Sequence, residues 1–235
     1  MNQDDPFPKY DFQAGALLLV DKPKDWTSFD VVNKIRYRLK QLLGVKKIKV
    51  GHAGTLDPMA TGLLLICTGK MTKQVSKYQG LPKTYTGTLC LGATTPSYDA
   101  ETEIDQNFSI EHIDPELIEQ ARQQFLGAIQ QIPPMFSAIK VDGQPLYKKA
   151  RKGITVEVKA RPVEIFRFDL LNQSLPEIDF EVECSKGTYI RSLAHDFGKA
   201  LRSGAYLNRL CRTHIGEYAL KDAWQLDELI AFLER

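Results

Sequence analysis

The sequence predicts an α+β fold, with a central mixed, largely antiparallel sheet flanked by helices and loops. Three observations predict it. Ile178, Phe180, Val182 and Cys184 alternate with Asp179, Glu181 and Glu183, as in a strand buried on one face. Val32, Ile35, Leu39 and Leu42 recur at helical spacing instead. Strand-like and helix-like segments of both kinds are mixed along the chain, with no internal repeat, low-complexity tract or interdomain linker.

In chain order, residues 16–20 read as a strand. Thr27 and Asp30 have capping-box spacing, so a helix is expected to start near Ser28, with its arginines and lysines outward. KIKVGHAGTLDP reads as a short strand and a glycine loop. Residues 60–67 are a buried helix turn or a strand; their length leaves both open. Residues 83–92 alternate as a strand, and the acidic stretch after them reads as loop. Asp114-Pro115 opens a helix, with proline in its first turn. Residues 130–153, with paired prolines and an Asp142-Gly143 turn, form a hairpin-like loop or a mobile flap. A turn follows the strand at 178–184, then a helix with Leu193, Phe197 and Leu201 inward. Leu226, Leu229, Ile230 and Leu233 make a closing amphipathic helix.

The 235 residues suit one large domain or two small ones. The longest apolar run near the middle, residues 63–67, is too short to cross a bilayer. The N-terminus shows no basic region followed by an apolar stretch, so a cytoplasmic protein is expected. Cys67, Cys90, Cys184 and Cys211 are widely spaced and read as reduced thiols.

Net charge is only +2, yet charge is segregated. Residues 31–56 hold no acid but carry Lys34, Arg36, Arg38, Lys40, Lys46, Lys47 and Lys49. A second basic stretch includes Lys140, Lys148, Lys149, Arg151, Lys152, Lys159 and Arg161. Residues 84–121 carry eight acids and no Lys or Arg. Such a pattern suits a protein that meets a polyanion, and equally two solvated surfaces.

TGKMT does not make a phosphate loop, because Leu64 stands where the first glycine belongs and Met71 where Ser or Thr belongs. Rossmann spacing is absent. His52, His112, His195 and His214 show no metal-ligand spacing, so no metal is expected. What remains is Asp57, a lone carboxylate in the glycine-framed turn GHAGTLDP. Alone, an Asp-Pro turn aspartate most often bonds only its own loop. Here Gly51 and Gly54 permit close approach of a ligand, and a purely basic segment precedes it.

GHAGTLDPMATGLLLICTGKMTK closely resembles the catalytic motif of the TruB family of tRNA pseudouridine synthases. KTYTGTLCLGATTPSYDAE resembles that family's second motif, QIPPMFSAIKVDGQPLYKKARKG its RNA-contacting insertion, and CSKGTYIRSLAHDFG its third motif. Phe136 and Leu146 depart from the usual Tyr and small residue, and both keep apolar contact. The resemblance implies the pseudouridine synthase fold in a single catalytic domain over 1–235. It places an RNA-binding insertion at about 131–152, with no separate C-terminal PUA domain evident. It also implies isomerisation of the T-loop uridine at tRNA position 55, by base flipping, with no cofactor.

In that resemblance Asp57 is the essential carboxylate, acting as nucleophile or as base, and Arg191 is its partner. Tyr85 stacks on the uracil, Tyr189 and Leu210 line the pocket, and His52 fills the space the base leaves. Lys73 is either loop structure or a phosphate contact. Lys34, Arg38, Lys148, Lys149, Arg151 and Lys152 are expected on phosphates. The expected partner is the T-arm stem-loop of tRNA, met by a monomer with no membrane and no obligate protein partner. Two other readings compete. One is a tRNA-folding chaperone with incidental modification. The other is a glycosidase pairing Asp57 with Asp99, against which the basic segments count.

Overall fold

A computed structural model describes residues 10–141 and 143–234. The first nine residues, which bear on the expected absence of a leader, and Asp142 of the expected Asp-Gly turn lie outside the described residues. In chain order the elements are β1 (Leu17–Lys22), α1 (Ser28–Leu42), β2 (Val50–His52), β3 (Thr61–Thr68), α2 (Val75–Gly80) and β4 (Lys83–Leu91). Next come β5 (Ala93–Thr94), β6 (Gln106–Asn107), α3 (Pro115–Gln123), β7 (Gly127–Gln131), β8 (Lys140–Val141), β9 (Gln144–Pro145) and α4 (Leu146–Ala150). The chain continues through β10 (Arg161–Ser174), β11 (Glu177–Cys184), α5 (Ile190–Ala200), β12 (Ala205–Ile215), β13 (Tyr218–Ala219), β14 (Trp224–Gln225) and α6 (Leu226–Phe232). A 3-10 turn, Gly69–Gln74, joins β3 to α2.

The contacts divide the chain into two compact units, Met1–Tyr85 with Leu210–Arg235, and Thr86–Arg209. Neither crossing is a linker. Both fall inside strands, β4 and β12, which is why composition shows no boundary.

The first unit is a mixed sheet centred on β3. β1 runs antiparallel to β3 along its whole length, from Leu17 opposite Cys67 to Lys22 opposite Gly62. On its other side β3 takes β2 antiparallel, with His52 opposite Ile66, and β12 parallel, with Cys211 opposite Thr61. β14 lies parallel to β1. β3 is buried on both faces. Leu64 and Ile66 meet Val31, Val32, Ile35 and Leu39 of α1 and Leu226, Leu229 and Ile230 of α6. Leu63 and Leu65 pack oppositely, with Leu19, Ala53 and Ile215. A strand covered on both sides reads as a continuous apolar run, which is why its period left helix and strand open.

α1 begins as expected. Thr27 Oγ1 accepts from the Asp30 amide at 3.1 Å, and Asp30 Oδ2 accepts from the Thr27 amide at 3.0 Å. This closes the capping box and satisfies two orphan donors. The bases of α1 are not all outward. Arg36 Nη2 donates to Val50 O at 2.9 Å, and Arg38 pairs with Glu234 at 2.5 Å. Their long side chains reach back to carbonyl and carboxylate acceptors.

The second unit is antiparallel. β10 pairs with β11 on one side and β7 on the other. Ile178, Phe180, Val182 and Cys184 are all buried, as their alternation predicts. Ile178, Phe180 and Val182 each contribute about 1.5–3 kcal/mol by leaving water. Phe180 and Phe197 of α5 both stand edge-on to Phe168, at centroid distances of 6.1 and 5.7 Å. α3 begins at Pro115, with Asp114 accepting from the Leu117 amide at 2.8 Å. β8 and β9 pair antiparallel, with Lys140 opposite Pro145 and Val141 opposite Gln144, and α4 follows.

Candidate active site

Asp57 sits, half-buried, on the loop between β2 and β3. Gly54 in that loop has φ +112°, a conformation that favours glycine. The loop is tied down on every side. The Leu56 amide donates to Ser28 Oγ at 2.8 Å, the Asp25 amide to Pro58 O at 2.9 Å, and the Ala60 amide to Asp57 O at 3.1 Å.

Two buried cations complete the anchoring. Arg212 is 1% exposed. Its Nε donates to Leu63 O at 2.8 Å, Nη2 to Gly54 O at 3.1 Å and Nη1 to Thr55 O at 3.4 Å. The Lys22 ammonium, wholly buried, donates to Trp26 O at 2.6 Å, Pro23 O at 2.9 Å and Pro58 O at 3.2 Å. Carbonyls on both flanks of Asp57 therefore point at positive charge. The carboxylate is mounted on a backbone that cannot move without stranding a buried cation.

Of the other expected residues in this unit, His52 ends β2, and Tyr85 and Leu210 are both buried, on β4 and β12. Burial pushes the His52 imidazole below its usual pKa, and the charge on Arg212 pushes it further down; a hydrogen bond with the Gly54 backbone opposes them. The ring is therefore held neutral at pH 7. Lys73 is elsewhere. It is exposed in the turn beyond Thr68, while the Asp57 loop adjoins Thr61. The seven steps of β3 between them span about 23 Å.

In the second unit Arg191 lies in the first turn of α5 and is 4% exposed. Nη1 donates to Ser97 O at 3.0 Å and Nη2 to Phe136 O at 2.9 Å, while Nε stands 3.4 Å from Asp99 Oδ2. Asp99, 1% exposed, is fixed in turn by Ser97 Oγ at 2.5 Å and the Glu101 amide at 3.0 Å. Just before it, Tyr98 has φ +65° and stacks on His195 at 3.8 Å, with rings 9° apart. Tyr189 is the residue before α5, and Gln131 clasps its backbone, taking the amide at 2.8 Å and giving to the carbonyl at 3.1 Å. Tyr189 and Arg191 thus share one rigid corner with Asp99.

Among the expected phosphate contacts, Arg38 is engaged with Glu234 and Gln41, and Lys34 is half-buried on α1. Lys148, Arg151 and Lys152 are exposed at α4, with Arg151 over the Tyr147 ring at 5.6 Å, and Lys149 is half-buried.

The sequence alone does not point to Arg212 or Lys22, and it points to Asp99 only as half of a glycosidase pair. Arg212 did leave a signal. It occupies an inward position of β12, where a base has no reason to be unless it serves something buried.

This architecture, a sheet carrying a pinned aspartate loop, is that of a pseudouridine synthase. The family description "TruB family pseudouridylate synthase (N terminal domain)" matches residues 40–190. The tRNA pseudouridine synthase B of Flavobacterium johnsoniae is 58% identical over 214 residues, 91% of this chain and 93% of that one. That of Phocaeicola vulgatus is 55% identical over 224 residues, 95% of each chain. Among solved structures, one chain of a Cbf5-Nop10-Gar1 complex superposes with TM-score 0.69 at 28% identity. The match covers 94% of this chain and 55% of that one. A chain from an H/ACA RNP bound to a substrate RNA containing 2'-deoxyuridine gives 0.67 at 26%, covering 94% and 54%. The chain belongs to the TruB family of pseudouridylate synthases and is an isomerase.

Proposed function

We propose that this chain converts the T-loop uridine of tRNA, conventional position 55, to pseudouridine, with Asp57 as the essential carboxylate. The observation that carries the reading is the mounting of Asp57, between carbonyls held by buried Arg212 and Lys22, in a family member with relatives named for this reaction.

The reaction breaks the ribose C1′–N1 bond and makes C1′–C5. N1 gains a proton and C5 loses one to water, so atoms and electrons balance with no redox partner. Attack by Asp57 and removal of a sugar proton by Asp57 both need an ionised, oriented carboxylate. A rigid mount supplies the orientation, because reacting atoms must be held near contact distance. The uridine is flipped out of its stack at a cost of a few kcal/mol. His52, kept neutral, offers a flat ring to fill the gap. Tyr85 is assigned to stacking on the detached uracil, and Leu210 and Tyr189 to the pocket wall. Arg191 is assigned as the guanidinium that keeps Asp57 charged. The basic residues of α1 and α4 are assigned to phosphates, which set position while RNA shape sets the target.

The test uses a T-arm hairpin carrying tritium at uracil C5. Wild type is expected to release tritium into water and Asp57→Ala to release none. Silence from both, on the hairpin and on full-length tRNA, would remove the enzyme reading and leave an RNA-folding protein.

A further inference from the structure

The first unit holds a cavity of about 370 Å³ that the reading above does not use. Lys47, Lys49, Lys70 and Lys73 line it, with Gln13 and Thr72, and no carboxylate does. Among the described residues none of the four ammonium groups has a hydrogen-bond or ion-pair partner. The floor is fixed by backbone rather than by side chains. The Gly69 amide donates to Lys49 O at 2.9 Å, the Lys70 amide to Gln13 O at 3.2 Å, and Thr72 Oγ1 to Gly69 O at 2.8 Å. Gly69 has φ +51°, and a Cβ there would lie 2.1 Å from Gln13 O. Three segments distant in sequence are thereby locked around one basic hollow.

Four lysines with no carboxylate in the lining give the hollow a positive potential, which favours an anion there. The lining is wrong for a ring system, since small-molecule sites are mostly apolar and Ile48 is the one large apolar side chain here. Flexible ammonium groups suit phosphates, which they meet as point charges. The cavity also stands at the Thr68 end of β3, about 23 Å along the strand from the end that adjoins Asp57.

We propose that this cavity seats backbone phosphates of the substrate RNA, remote from the flipped uridine, as a second anchor. The proposal rests on the RNA reading above and adds where the rest of the RNA is held. Each phosphate neutralised contributes about 0.7–0.9 to the slope of log binding constant against log salt. The variant is the triple Lys47→Gln, Lys49→Gln, Lys70→Gln. A charge-matched control is Lys77→Gln, Lys199→Gln, Lys221→Gln, all exposed and none lining the cavity.

On full-length tRNA transcript the triple variant is expected to show a salt slope shallower by about 1–3, roughly one per lost lysine contact, and a KM raised on the order of tenfold. On a hairpin cut to the few pairs that close the loop, variant and wild type are expected to converge. A triple variant with the slope and KM of the control overturns the proposal. So does inorganic tripolyphosphate binding wild type but not the variant while their tRNA slopes stay equal, which would mark a site for free polyphosphate. Tritium release by wild type is scored separately, so loss of the enzyme reading and loss of the anchor are told apart.

Discussion

Each unit of this molecule buries an arginine, and the two are satisfied differently. Arg191 faces a carboxylate, Asp99, and two carbonyls. Arg212 donates to three carbonyls, and among the described residues no carboxylate comes within ion-pair distance. The first arrangement neutralises charge and fixes a direction. The second leaves a net positive charge under a loop and uses it to hold backbone. A buried cation answered only by dipoles favours an anion nearby, and the loop it holds carries Asp57.

The largest effect is expected from Asp99→Asn. It removes the carboxylate charge that faces buried Arg191, and removing one partner of a buried pair costs about 3–5 kcal/mol. Urea denaturation reads it as a lowered midpoint at unchanged slope. The double variant Arg191→Met, Asp99→Leu removes both charges, so most of that stability is expected to return while tritium release stays lost. If Asp99→Asn alone is neutral, the pair is not what holds this corner.

Arg212→Met comes next. Of the three carbonyls that lose their donor, that of wholly buried Leu63 carries the main cost, about 1–3 kcal/mol, since Thr55 is exposed and Gly54 half-buried. Turnover is expected to fall about a hundredfold, because a misplacement near 1 Å costs that much. Arg212→Lys keeps the charge but not the fork, so a partial recovery of both quantities is expected. Full recovery with lysine would mean that charge alone matters, and the contrast with Arg191 would shrink.

A pH effect separates the units further. Burial, with the charge of Lys199, pushes His195 down from 6.5 to about 4. Between these values the unfolded chain takes a proton that the folded chain refuses. Stability is therefore present above pH 6.5 and is lost as pH falls towards 4. His195→Phe keeps a flat ring against Tyr98 and removes the titration. Its denaturation midpoint is expected to drop less than that of wild type between pH 7 and 5, and equal drops would discard the assignment. The smallest effect belongs to Thr27→Ala, which removes one half of the capping box of α1 and is expected to lower stability by about 1 kcal/mol in the same denaturation experiment.

Local patterns were legible in the sequence where their cause is local. The alternation of β11 shows because one face is buried, and Thr27 with Asp30 shows because capping partners sit three residues apart. β3 stayed ambiguous because both its faces are buried. Asp57 stood out through its glycine frame and the motif around it. Its support did not. Asp99 and Arg191 are 92 positions apart, and nothing in either neighbourhood names the other. Arg212 was hidden by a break in β12, where Asn208 and Arg209 both lie off the buried face and the alternation restarts. The lysine cavity is invisible for another reason, since residues 13, 47–49 and 69–73 meet only after folding.

The pairing of Val20 with Trp224 sets a timetable for synthesis. A ribosome adds some 5–20 residues each second, so the strand that covers the edge of β1 follows it by roughly 10–40 s. Through that interval the nascent chain shows an unpaired strand edge and the apolar face that α6 will cover. Unpaired edges invite pairing with other chains. Residues 86–209 are all made before that closure, so in the cell the segment in the middle of the gene has its chance to fold first, and the unit bearing Asp57 is finished last.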